Sequence, residues 1–447
     1  MRAMRLRETV AGLVAVAALL GARTPMAHAR IDGVTGTFFS LVAKQDFIAT
    51  GDGDTFLMWG YALEGNRMQY PGPVIKVNQG DVVTVALRNE LPVQAGNVSM
   101  VFPGHEVQAS GGVQGLLTRE AAQADDPATP GDESMVVYEF TAANPGTYLY
   151  RSGTRPDLQV EMGLVGAVIV YPTGGGFNDG KHAYNHSDSR FDREFLFLIT
   201  EMDPRFHRYA ESGRWALIDT TTYFPTAWFI NGRNWPDVMA DAFVPWLPTQ
   251  PYNCQPRMHP GERVLIRLVG AGRDLHPMHL HGNDFEIIAI GGRLMTGVAG
   301  ADLAFKEFTL NTVPGQTADV LWSWTGEKLG WDIYGHVAGD PANPGCNDGD
   351  GDGLDDVTFE YCADHNVPFP VTLPTRDSLT YGPFYSGSPF LGGGGALPPG
   401  DPGLNANGGF FYMWHSHTEK ELTTNDIWPG GLVSFMIVEP PWVPILE

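Results

Sequence analysis

Three histidines crowd into six positions at His276-Pro277-Met278-His279-Leu280-His281, in a chain of 447 residues that holds 13 histidines. Imidazole is the commonest protein ligand for metals, and its neutral nitrogens suit copper well. On a strand, side chains two apart face the same way, so His279 and His281 can present adjacent nitrogens. Pro277 suits an edge or turn position and sets His276 on a separate bearing. The competing reading is a buried, hydrogen-bonded cluster that holds no metal.

A second group is acidic. Asp348-Gly-Asp350-Gly-Asp352-Gly353-Leu-Asp-Asp356 places hard oxygen ligands at alternate positions, with glycine for a sharp turn, as loops that wrap Ca²⁺ do. Where an EF-hand has its bidentate Glu, this chain has Phe359, with Glu360 beside it. The spacing therefore predicts a short extracellular-type calcium repeat rather than an EF-hand, with Asp348, Asp350, Asp352 and Asp356 as candidate ligands. A merely solvated acidic turn is the alternative. Cys346 and Cys362 bracket the loop, and a disulfide between them would contribute roughly 3 kcal/mol in the chain-entropy model. Cys254 is then left as a buried small hydrophobe.

The elements that must position these groups read as strands. The 55 glycines and 34 prolines are spread through the chain, which suits many short strands joined by turns. Runs such as Val82-Val-Thr-Val-Ala-Leu-Arg88 and Met135-Val-Val-Tyr-Glu-Phe140 are rich in β-branched and aromatic residues and alternate at period two. An all-β sandwich or barrel architecture follows. A first unit, 30–172, closes at Gly163-Leu-Val-Gly-Ala-Val-Ile-Val-Tyr171, and 173–193 reads as a linker. A second unit, 194–447, closes at Gly431-Leu-Val-Ser-Phe-Met-Ile-Val-Glu-Pro440. The two closing segments look alike, which predicts the same terminal strand in two related domains. Residues 326–409 form a long, loop-rich insertion that contains the acidic loop.

The net charge of −23 repels phosphate backbones, so nucleic acid is a poor partner. Residues 1–29 read as a secretory signal, with Arg2, Arg5 and Arg7, an apolar stretch from Val10 to Ala22, and Ala27-His28-Ala29 as a cleavage site. That stretch is too short to cross a hydrocarbon core of ~30 Å as a helix, and no later stretch reaches spanning length. A secreted or periplasmic protein without a membrane span is expected.

Several segments together resemble the multicopper oxidase family across most of the mature chain. They are Tyr70-Pro-Gly-Pro-Val-Ile75 with Gly80-Asp-Val-Val-Thr-Val-Ala-Leu-Arg-Asn89, Pro145-Gly-Thr-Tyr-Leu-Tyr150 with Gly163–Val170, Phe229-Ile-Asn-Gly-Arg233, and Gly261-Glu-Arg-Val-Leu-Ile-Arg-Leu268. The most specific piece is the His276–Gly282 motif. The resemblance implies two Greek-key cupredoxin-like domains. It also implies a type 1 copper role for His276 and type 2 and type 3 roles for His279 and His281. His415 and His417 match the family's His-Cys-His segment, whose cysteine position is Ser416 here. Two-domain relatives commonly form trimers, so a homo-oligomer is an expectation too.

Departures from the family pattern limit the chemistry. A blue copper centre needs a thiolate, which Ser416 cannot supply. The family's next histidine corresponds to Glu421. The family's four first-domain histidines are replaced by Val101, Pro103, Arg151 and Gly153, with His105 close by. The expectation is one or two copper ions held by His276, His279, His281, His415 and His417, and a reduced, divergent copper oxidoreductase acting on a small molecule that the sequence does not identify. Alternatives are a non-catalytic copper-binding or structural relative, or a calcium-stabilised extracellular interaction module.

Overall fold

The computed structural model describes residues 31–124, 133–297, 300–327, 345–367, 410–439 and 443–445. The expected signal segment at 1–29 lies outside the described residues. So does most of the insertion at 326–409, including the glycine and proline runs at 392–395 and 398–403.

Alternation in the sequence becomes alternation in burial. Met135–Thr141 turns every second side chain inward, and Val82–Asn89 follows the same rhythm until both its faces are covered. In the first half, one sheet runs in the order Thr55–Leu63, Phe38–Ala49, Val82–Asn89, Met135–Thr141, Val107–Gly111. The facing sheet runs Val34–Thr35, Ile75–Asn78, Val165–Tyr171, Gly146–Arg151. Both contribute to one core, in which Leu41, Trp59, Val85 and Tyr138 of the first meet Val77, Tyr150 and Val168 of the second. Burying such residues, at roughly 1.5–3 kcal/mol per large apolar side chain, drives the two sheets together.

The second half repeats the plan. One sheet orders Ala227–Ile230, Arg193–Met202, Val264–Gly270, Thr317–Trp322, Phe285–Ile290 and Arg293–Leu294, with Phe305–Glu307 added beside Phe285–Ile290. The other orders Arg257–Met258, Val433–Val438, Phe410–Ser416, His276–Leu280 and Thr309–Thr312. The closing strands Val165–Tyr171 and Val433–Val438 hold equivalent places. Each pairs antiparallel with one neighbour and parallel with another. Among the described residues the only α-helices are Pro156–Gln159 and Pro204–Glu211, so the fold is all-β.

The halves share a third core. Ile48, Phe56, Met58 and Tyr70 of the first pack with Leu196, Leu198, Phe229 and Val269 of the second, and the Tyr70 and Phe229 rings meet edge-on at 5.8 Å. Beside it lies a buried polar knot. Arg267 donates to Glu194 at 2.9 Å and to Thr147 at 3.1 Å, and Thr147 and Tyr184 both donate to Asp319. Tyr184 belongs to the 173–193 segment, where Ala183 and Phe191 are also buried.

Candidate metal centre

Strand register assembles the centre. His276–Leu280 and Phe410–Ser416 run antiparallel, with His279 opposite His415, Met278 opposite Ser416 and Leu280 opposite Trp414. Met278, Leu280 and Trp414 enter the core, so His279 and His415 stand on the other face. His281 continues that face, its backbone N–H donating to the Met413 carbonyl at 3.0 Å, and Gly282 then turns the chain with φ +67°. Ring centroids of His279 lie 5.2 Å from His281, 5.5 Å from His415 and 5.0 Å from His417. One nitrogen each from His279, His415 and His417 falls within 4.8 Å of the others, and Nε2 of His281 is 2.8 Å from Nε2 of His415. His281 and His415 are buried, His279 is half-buried and His417 is exposed, so the cluster opens to solvent on one side.

Backbone carbonyls fix the tautomers. Nδ1 of His279 is 2.7 Å from the Phe308 carbonyl and 2.9 Å from Thr309 Oγ1, and Nδ1 of His415 is 2.7 Å from the Ser416 carbonyl. A carbonyl only accepts, so both Nδ1 atoms carry the proton and both Nε2 atoms keep a lone pair. Burial pushes His415 down to about 3, its bond to the Ser416 carbonyl notwithstanding, and the rings of His281, His279 and His417 add to the shift. Burial lowers His279 as well. Neutral imidazoles with aimed lone pairs are what a metal ion requires. Nitrogens sharing one ion at ~2.0–2.1 Å lie at most about 4.2 Å apart, so the set closes on an ion with a shift of about half an ångström. The residues fit the group.

His276 does not join this set. It has the parity of Met278 and Leu280, so it lies on the core side of the strand, away from His279 and His281. Both its nitrogens are taken: Nδ1 sits 2.9 Å from Glu421 Oε2 and Nε2 sits 3.0 Å from Glu201 Oε2. Ser416 Oγ donates to the same Glu421 oxygen. His276, expected as a copper ligand, thus has carboxylates at both nitrogens, one of them from Glu201, which sequence spacing did not single out. Its one sequence signal is a carboxylate two positions after the apolar run Phe195–Ile199.

In the first half, Val101 and Arg151 bridge each other by backbone hydrogen bonds and offer no ligand, and Arg151 donates to the Ser152 carbonyl. His105 packs between the rings of Phe140 and Tyr148 at 4.6 and 4.4 Å, and burial lowers it to about 4.

The acidic loop is closed by Cys346–Cys362, with Cα atoms 5.4 Å apart. Carboxylates of Asp348, Asp350 and Asp356 gather within 4.8 Å, all exposed. Asp352 stands outside that group and accepts from the Leu354 N–H at 2.7 Å. Cys254 is buried, and burial pushes its thiol up.

Paired β-sandwiches, one of them carrying an imidazole cluster on a sheet face, define the class of fold as cupredoxin-like. The multicopper oxidase family models match residues 63–174 and 247–326. The chain belongs to the multicopper oxidase family. It is 30% identical over 254 residues to a probable nitrite reductase-hydroxylamine oxidoreductase fusion protein of Kuenenia stuttgartiensis, a match covering 54% of this chain and 24% of that one. It is 34% identical over 118 residues to an L-ascorbate oxidase of Cucurbita pepo var. melopepo, covering 25% of this chain and 18% of that one. The chain thus spans a quarter or less of the length of either relative. Among solved structures, the multicopper oxidase mgLAC matches with TM-score 0.52 and 16% identity, covering 91% of this chain and 87% of that one. The blue copper oxidase from Nitrosomonas europaea matches with TM-score 0.50 and 16% identity, covering 90% and 85%. At that identity the structures speak to fold. No described helix is long and apolar enough to cross a membrane.

Proposed function

We propose that the chain is an exported copper protein that binds one ion, or two, at His279, His281, His415 and His417, and works as a divergent oxidoreductase without a type 1 centre. The observation that carries this reading is the convergence of the His279, His415 and His417 nitrogens within 4.8 Å. Bound copper would supply one-electron chemistry there. The protein's own contribution is to hold His279 and His415 neutral, aim them through the Phe308 and Ser416 carbonyls, and leave an open side at exposed His417 for a small molecule. Metal analysis of copper-loaded protein tests it. The double variant His279→Ala with His415→Ala is expected to lose the copper, and the parent protein to be nearly colourless because no thiolate reaches the ion. Copper retained by the double variant, or an intense blue band, overturns the assignment.

We also read the acidic loop as a calcium site, because Asp348, Asp350 and Asp356 converge inside a disulfide-closed turn. Calcium is then expected to raise Tm and a chelator to lower it. An unchanged Tm dismisses this second reading.

A further inference from the structure

On the core side of the site strand, His276 lies between two buried carboxylates, Glu201 and Glu421. A carboxylate oxygen accepts, so a ring with a carboxylate at each nitrogen donates from both and is an imidazolium. Two carboxylates in such surroundings need a cation close by. Arg273 does not supply it: its backbone N–H donates to Glu201, while its guanidinium reaches the Asp157 and Thr220 carbonyls and lies 4.2 Å over the Tyr223 ring. Asp274 adds a further acid, its backbone N–H donating to Glu201 at 3.0 Å.

The chain of contacts continues both ways. Tyr223 is 3.2 Å from Glu201 Oε1 and 2.8 Å from Glu161 Oε2, and Glu161 lies 3.4 Å from His207 Nε2, whose Nδ1 is 2.7 Å from the Leu57 carbonyl in the first half. A phenol has one proton to give. Its two carboxylate contacts are therefore both satisfied only when one carboxyl carries a proton of its own, and burial raises Glu161. At the other end, Ser416 donates to Glu421 and stands between the cluster histidines His415 and His417.

We propose that this pocket holds a proton where the family resemblance places an electron-accepting copper: the His276 imidazolium supplies the positive charge, Glu201 and Glu421 enclose it, and Ser416 ties the pocket to the histidine cluster. With a carboxylate on each nitrogen, the His276 ring has no lone pair left for a metal. Burial pulls His276 down, but its bonds to Glu201 and Glu421 outweigh that and raise it to about 9.

Nitrogen NMR of full-length protein labelled at histidine tests the inference without any metal, so its failure is distinct from failure of the copper reading. At pH 7.5 both His276 nitrogens are expected in the protonated range, and Glu201→Gln is expected to lower the titration by about 1–3 units. In copper-loaded protein, His276→Gln is expected to keep the parent copper content; should that variant not fold, Glu421→Gln serves instead, with the same expectation. An unprotonated His276 nitrogen at pH 7.5, or the loss of one copper equivalent in the folded variant, overturns the proposal.

Discussion

The two faces of the strand pair formed by His276–Leu280 and Phe410–Ser416 carry the same residue type under opposite electrostatics. On the outer face, His279 and His415 rest on backbone carbonyls beside the rings of His281 and His417, an acid, Glu419, lies 3.8 Å from exposed His417, and burial keeps His279 and His415 neutral. On the inner face, a single imidazole sees two carboxylates and stays charged. Histidine has no fixed role here. Its neighbours decide whether it offers a lone pair or holds a proton.

That contrast can be broken most sharply by metal content. Removing His279 and His415 together should abolish copper binding, whereas His276→Gln should leave it unchanged; equal losses would erase the distinction between the faces. Next in size is stability. Glu201→Ala leaves a buried imidazolium with one partner and should cost about 3–5 kcal/mol in denaturant unfolding, much as breaking other buried pairs does. Glu201→Gln should cost less, since the amide oxygen still accepts.

A pH series sharpens the comparison further. His276 is raised in the folded chain above its unfolded value near 6.5. Its contribution is complete below about 6.5 and fades as pH rises through about 9. The parent protein should therefore lose stability over that window relative to His276→Gln, and parallel curves would contradict the charged state. The smallest effect belongs to Thr309→Ala, which removes one of two Nδ1 partners of His279. With the Phe308 carbonyl still in place, copper affinity should fall by about tenfold or less, the lower end for groups that orient a ligand.

Much of this was legible in the sequence. Period-two alternation in Met135–Thr141 and the turn residues between strands were enough to indicate an all-β fold. The spacing of His279 and His281 was enough to put them on one face. Other features leave no local trace. Glu201 meets His276 across 75 positions of sequence, and no spacing rule links them. The tautomer of His279 is set by the Phe308 carbonyl, a group that every residue type carries. The core joining the halves, around Phe56 and Phe229, comes largely from strands apolar on both faces, and composition alone does not say which face meets which sheet.

The cluster is also split along the chain: His281 and His415 are 134 positions apart, yet they touch across one strand pair. During synthesis the upstream histidines leave the ribosome long before their counterparts exist, so the nascent chain offers only half a chelate. On the proposed reading, metal loads onto a finished sheet, after His417 has emerged and the strands have zipped. A copper supplied earlier would find the protein unready for it.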